Sequence, residues 1–201
     1  MIEYYILCSS IVLLLIIIII FATRQQCLID DSLYPELHIF KPNNDLIYDE
    51  LKYALKEVAW TDQSNINKNL KESMEPLFTR KSTVKYFIFI KDSTIVNNNI
   101  NTCPNITTLI NAVPNVVFAA IMCIKGNYVS DNISFLKNKH MCFIPISQSN
   151  DEFGLIINNY IYKYSDLLKN IQFLIVNSDC VVQVYNQSMN DRYILCLALR
   201  N

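Results

Sequence analysis

Six short apolar segments follow one another through the C-terminal half of the chain, and they constrain the fold more than any other feature. In order they read NVVFAAIMCIKG, HMCFIPIS, GLIINNYIYKY, IQFLIV, CVVQVYN and RYILCLAL. They are rich in the β-branched and aromatic residues that favour strands, and residues 82–92 have the same character. Short strands at regular spacing are typical of β-sandwiches and jelly rolls.

The residues before these strands show helical periodicity instead. Asn44 can cap a helix over residues 45–58, where apolar residues recur on one face and acidic residues occupy the first turn. A weaker helix is predicted over 65–74, and Pro104 can open another helix that continues to Asn111. The pattern therefore predicts a mainly β domain with helices packed on one sheet.

The run YYILCSSIVLLLIIIIIFA, residues 4–22, contains no charged residue. A helix of this length spans roughly the 30 Å hydrocarbon core of a bilayer, which predicts a transmembrane anchor. A cleaved signal peptide is the alternative, but only Glu3 precedes the run and no strong cleavage site follows it. The predicted division is an anchor over 4–22, an extended connector over 23–42 and one domain over 43–201. Arg24 favours a cytoplasmic position for that domain.

The composition excludes several classes of function. Gly126 and Gly154 are the only glycines, so neither a phosphate-binding loop nor a dinucleotide fingerprint can be assembled. The formal net charge of −1 gives no general attraction to nucleic acid, and no nucleic-acid partner is expected. The expected partners are the lipid bilayer, through the N-terminal helix, and another protein.

The seven cysteines fit no zinc-binding spacing. Buried free thiols and one or two disulfides are both consistent with this pattern. Asn105, Asn132 and Asn186 begin N-glycosylation sequons, which are relevant only if the domain lies in a lumen.

The segments LYPELHIF, NNDLIYDELKYAL, CPNITTLI, PNVVFAAIM, HMCFIP and VNSDCVVQVYNQSMNDRYILCLAL extend over about residues 33–199. Their order and spacing resemble those of the aspartyl/asparaginyl β-hydroxylase family. The members of that family are 2-oxoglutarate- and Fe(II)-dependent oxygenases. The resemblance implies a double-stranded β-helix, or jelly roll, with an N-terminal helical layer after the transmembrane helix.

The same resemblance implies metal-ligand positions that this chain does not fill. The family binds iron through two histidines, and the alignment places Asn132 and Val182 at their positions. Neither an amide nor a valine side chain is a comparable iron ligand. The chain contains only two histidines, His38 and His140, and His38 belongs to the N-terminal segment.

The resemblance also implies a remnant of the cosubstrate pocket. His140 matches a histidine that positions 2-oxoglutarate, and Arg192 matches the arginine that pairs with its distal carboxylate. Asn138 and Ala120 replace an arginine and a serine of that pocket. If His140 and Arg192 both point into the barrel, the adjacent thiols and isoleucines fill a former polar site. Without the resemblance, His140 is interpreted as a core or rim residue and Arg192 as a solvated charge.

Three functions follow from these observations. The missing ligands favour a catalytically inactive domain on a membrane anchor, without a cofactor, that serves as a structural or protein-interaction module. An active oxygenase would have to use other ligands, such as Asp131 or Asp179. A lumenal module could bind small acids through Arg192 and His140. The Asn-, Ile-, Lys- and Tyr-rich composition indicates an AT-rich coding sequence, as in poxviruses, and hence a virion membrane or a host endomembrane.

Overall fold

The core of the protein is a pair of antiparallel β-sheets. The computed structural model describes residues 9–18, 27–57, 84–91, 93–96, 100–130, 139–146, 152–166 and 173–200. Within these ranges the strands are β1 (Val84–Lys91), β2 (Thr94–Ile95), β3 (Val116–Ile124), β4 (Tyr128–Val129), β5 (Lys139–Pro145), β6 (Phe153–Ile157), β7 (Tyr160–Lys163), β8 (Leu174–Asn177), β9 (Val182–Asn186) and β10 (Arg192–Arg200).

The six-stranded sheet has the order β2-β1-β3-β10-β5-β8, and the four-stranded sheet has the order β4-β9-β6-β7. All pairings are antiparallel. Every segment predicted as a strand contains one, and GLIINNYIYKY contains the hairpin β6–β7. Asn158 and Asn159 form the hairpin turn with φ values of 46° and 68°, a conformation that asparagine tolerates well. The predicted mainly β architecture is confirmed and is consistent with a jelly roll.

Two α-helices cover the outer face of the six-stranded sheet, as predicted. Helix α1 (Asn44–Glu57) and helix α2 (Pro104–Asn111) bury their apolar faces in one cluster with that sheet. The Glu50 carboxylate of α1 accepts hydrogen bonds from the backbone N–H groups of Asn105 and Ile106, at 2.9 and 2.7 Å. A carboxylate at this end of α2 satisfies N–H groups that lack partners within the helix. The weaker helix predicted over 65–74 lies outside the described residues.

The predicted connector contains two short 3-10 helices instead of an extended strand. They are η1 (Asp31–Leu33) and η2 (Pro35–Phe40). Leu37 and Phe40 are buried in the cluster beneath the helices, so this segment packs on the sheet. The burial of these two side chains in a compact turn is the physical reason for the difference.

The six-stranded sheet separates two apolar cores. On β3, Ala120, Met122 and Ile124 face the interior between the two sheets. Ala119 and Ile121 face the helices. We call the interior cluster the barrel core and the other cluster the helix-side core.

Residues 9–18 are helical. Among the residues described by the structure, no helix is both long enough and apolar enough to span a membrane.

A disulfide connects Cys27 to Cys180, with the two Cα atoms 5.7 Å apart. Leu28 forms an isolated antiparallel bridge with Val176, which extends the edge of β8. The free cysteines in the described ranges, Cys103, Cys123, Cys142 and Cys196, are all buried. Both possibilities left open by the sequence, a disulfide and buried thiols, therefore occur together.

Reduction of the Cys27–Cys180 disulfide should lower the free energy of unfolding by about 2–5 kcal/mol, because the bond closes a long loop in the unfolded chain. Its two cysteines are separated by 153 positions. Denaturant unfolding with and without a phosphine reductant measures this change. The Cys27→Ala/Cys180→Ala variant should have about the stability of the reduced wild type, with and without the reductant. A loss of stability in that variant on adding reductant would contradict the assignment.

Candidate functional site

The barrel core is apolar at the positions where the family resemblance implies a metal and a cosubstrate. Val182 on β9 is 0% exposed and pairs in register with Ile157. Ala120 on β3 is fully buried and pairs with Cys196. The other implied positions, Asn132 and Asn138, lie outside the described residues, as does Asp131.

Arg192 lies at the start of β10, at the mouth of the barrel. Its register partner is Ile124, the last residue of β3. Alternation along β10 gives it the same face as Ile194 and Cys196, which both belong to the barrel core. Arg192 is half-buried. It therefore approaches the barrel interior from the rim.

His140 lies on the opposite face of the six-stranded sheet. It shares a face of β5 with Cys142 and Ile144, and both of these pack in the helix-side core. The Tyr34 hydroxyl lies 2.6 Å from His140 Nδ1, and the two rings meet edge to face. Burial lowers the pKa of His140 and raises the pKa of Tyr34. The tyrosine hydroxyl and the imidazole therefore form a hydrogen bond between two neutral groups near pH 7, whose direction depends on the imidazole tautomer.

The structure does not bring His140 and Arg192 together. His140 is paired with Leu199, seven positions along β10 from Arg192. At about 3.4 Å per residue this separates the two positions by roughly 24 Å, and the odd number of steps places them on opposite faces. A shared cosubstrate pocket lined by both side chains is therefore incorrect. Period-two alternation in each strand cannot reveal which face of that strand points into the barrel.

Of the two alternative metal ligands, only Asp179 lies within the residues that the structure describes. Asp179 is exposed in the turn between β8 and β9, where its backbone N–H donates to Asn177 Oδ1. Within the described ranges, no group of three or more histidine, cysteine, aspartate or glutamate side chains is placed to hold a metal ion. Burial raises the pKa of the Cys196 thiol and of the Tyr164 hydroxyl in the barrel core. These groups stay neutral and protonated near pH 7.

The barrel mouth contains a polar network that the sequence did not reveal. The Asn186 amide nitrogen donates to the carbonyl oxygens of Ile124, Lys125 and Asn190, at 3.1, 3.1 and 2.8 Å. Its oxygen accepts from the backbone N–H and the hydroxyl of Ser188. Asn186 is 0% exposed. The amide therefore joins the end of β3 to the loop between β9 and β10.

This network corrects the expectation that Asn186 is a glycosylation site, because the fully buried and bonded amide cannot carry a glycan in this fold. Asn105 is exposed at the start of α2, and its side chain donates to Glu50. Asn132 lies outside the described residues. The sequon pattern alone could not separate these cases, since burial depends on the tertiary structure.

Comparison with known proteins gives similarity of fold only. No protein-family model matches the chain, and no curated protein matches it. A 2OG-Fe(II) oxygenase family oxidoreductase from Burkholderia pseudomallei has 11% identity and a TM-score of 0.41, covering 76% of this chain and 90% of its own.

Two further solved structures have similar values. A prolyl hydroxylase from Trichoplax adhaerens, in complex with a hypoxia inducible factor peptide fragment, has 10% identity and a TM-score of 0.38. It covers 82% of this chain and 91% of its own. The Schizosaccharomyces pombe Cnp3 cupin domain has 9% identity and a TM-score of 0.39, covering 63% and 72%. These neighbours have cupin-like or oxygenase-like folds. Identities and TM-scores this low assign no activity to the chain.

Replacing His140 should reduce the dependence of stability on pH. The lowered pKa of His140 means that the unfolded chain, with a pKa near 6.5, binds the proton more tightly than the folded protein. The contribution of His140 to stability is therefore fully present above the unfolded pKa. It is lost as the pH falls from that value toward the lower pKa of the folded protein. Urea unfolding at about pH 7.5 and about pH 5 should show a smaller acid loss for His140→Gln than for the wild type.

The Tyr34→Phe variant provides a matched comparison, because it removes the hydroxyl bonded to His140 Nδ1 and keeps the ring that packs on the imidazole. It should be less stable than the wild type near neutral pH and should retain the acid loss, since burial lowers the pKa of His140. An unchanged acid loss in His140→Gln would show that other groups cause the pH dependence.

Asn186→Ala should lower the free energy of unfolding by about 3 kcal/mol or more, because it leaves buried carbonyl groups without a donor. Asn190→Ala is the matched control in the same loop. Its side chain is exposed, so the expected change is within about 0.5 kcal/mol. Chemical denaturation measures both values. Similar losses in the two variants would contradict a special role for the Asn186 amide.

Proposed function

We propose that the protein is a membrane-anchored domain with a hydroxylase-like double-stranded β-helix, catalytically inactive, that acts as a structural or protein-interaction module. The apolar barrel core carries this proposal. Val182 and Ala120 contribute only hydrocarbon at implied metal and cosubstrate positions. An Fe(II) site requires imidazole or carboxylate donors that converge on one point, and these residues do not fit such a site.

The N-terminal segment supports the membrane anchor. Residues 11–18 consist only of isoleucine, leucine and valine, and all of them are exposed in their helix. A helix that is apolar on all sides requires an apolar environment, and the uncharged run of residues 4–22 is long enough to cross a bilayer.

The disulfide bears on the orientation of the anchor. Disulfides persist mainly in oxidising compartments, so Cys27–Cys180 favours a lumenal or external domain. Arg24 alone favours the opposite side, but a single charge is a weak determinant of topology. The proposed location is a viral or host membrane, with the domain on the oxidising side.

A second candidate function is the binding of a small anion at the barrel mouth. Its support is the half-buried guanidinium of Arg192, a group that can pair with a carboxylate without any metal. His140 takes no part in this candidate site, because it lies on the other face of the sheet.

Calorimetric titration of the full chain in nanodiscs with Mn(II), with and without 2-oxoglutarate, and a turnover assay with Fe(II), 2-oxoglutarate and dioxygen together test the proposal. The expected result is no metal-dependent binding and no succinate. Micromolar metal affinity together with succinate production would overturn it. Binding of 2-oxoglutarate without metal, lost in Arg192→Gln, would support the anion site instead.

The Asn132→His/Val182→His variant tests the implied alignment. A gain of metal binding in this double variant would support descent from an active site. Val182→His alone introduces a polar ring into the barrel core and should lower the free energy of unfolding by about 1–3 kcal/mol.

A further inference from the structure

The two sheets differ in what covers their outer faces. Helices α1 and α2 and the segment η2 cover the six-stranded sheet. On the outer face of the four-stranded sheet, Val129 is 50% exposed and Ile161 is 62% exposed. Lys163 is the only charged residue in β4, β6, β7 and β9. This face is therefore almost uncharged and partly apolar.

The exposed apolar residues extend to the end of the domain at which the disulfide lies. Ile161 pairs in register with Ile156 on the outer face, directly beside the β6–β7 turn. Val181 follows Cys180, is 45% exposed, and accepts a hydrogen bond at its carbonyl from the Asn158 N–H in that turn. We call Ile156, Ile161 and Val181 the sheet-end patch.

The disulfide fixes the position of this patch relative to the N-terminal run. The Asn158 amide also contacts Cys27 Sγ, at 2.9 Å, so Cys27 lies against the same turn. From Ala22, the last residue of the proposed anchor, the chain can reach Cys27 over at most about 18 Å. The sheet-end patch is therefore held close to the surface of any membrane that contains the anchor.

We propose that the sheet-end patch is a lipid-contacting surface. This inference rests on the proposed membrane anchor. Ile161 and Val181 contact the boundary between headgroups and acyl chains, and Lys163 extends toward anionic headgroups.

The short stretch of chain between Ala22 and Cys27 favours lipid over a protein as the occupant of this patch. A gap of about 18 Å is narrower than a small folded domain, which is about 30 Å across. The opposite end of the domain then points away from the membrane. It carries the loop between β9 and β10, where Met189 is 83% exposed. That end is the one accessible to a protein partner.

Tryptophan quenching by brominated lipid tests the proposal with the full chain in phosphatidylcholine/phosphatidylglycerol vesicles. In a Trp60→Phe background, Ile161→Trp and Val181→Trp each place a probe in the patch, and Met189→Trp is the matched control at the far end. Quenching of the two patch probes should be at least about twofold stronger than that of the control, because the bromine atoms lie within the bilayer. Adding Cys27→Ser and Cys180→Ser should reduce this difference.

Alkaline carbonate extraction of the same vesicles separates the two ways in which the idea can fail. Release of the protein would overturn the anchor, and with it this inference. Retention with equal quenching at all positions would overturn the lipid-contacting surface and leave the anchor intact. A third outcome would assign the face to a second copy of the chain. In that case the protein is retained, the patch probes are not quenched, and crosslinking gives dimers that Ile161→Lys abolishes.

Discussion

The fold depends on the burial of β10 on both of its faces and along both of its edges. It pairs with β3 over nearly its whole length on one side and with β5 on the other. Leu195, Leu197 and Leu199 enter the helix-side core, and Ile194, Cys196 and Ala198 enter the barrel core. Each core is complete only when this strand is in register. A shift of one residue would exchange the two sets of side chains between the cores.

Two-sided burial also explains which features the sequence could predict. The central strands read as continuous apolar runs bounded by turn residues, so their positions were predictable, as was the one-sided periodicity of α1. The face of a residue was not predictable in such a run, so the sequence pattern could not test the single pocket that the resemblance implied for His140 and Arg192. The Cys27–Cys180 pairing and the compact segment 31–40 depend on contacts between residues far apart in the chain, and no local pattern encodes them.

Asparagine occupies turn positions that glycine occupies in most chains. Asn115, Asn127, Asn158 and Asn159 all adopt positive φ values at turns, where asparagine is the best substitute for glycine. Asn186 instead satisfies three carbonyl groups with one buried amide. The abundance of asparagine therefore produces sequons without any selection for glycans, and the buried Asn186 is such a case.

The segment over residues 27–40 is attached to the domain by several contacts, and both histidines of the chain take part in them. His140 Nδ1 shares a hydrogen bond with the Tyr34 hydroxyl, and the His38 ring packs edge to face against Phe173 beside β8. The disulfide fixes the start of the segment, and the buried Leu37 and Phe40 fix its end. Burial lowers the pKa of His140, so this imidazole stabilises the docked segment as a neutral packing and hydrogen-bonding group.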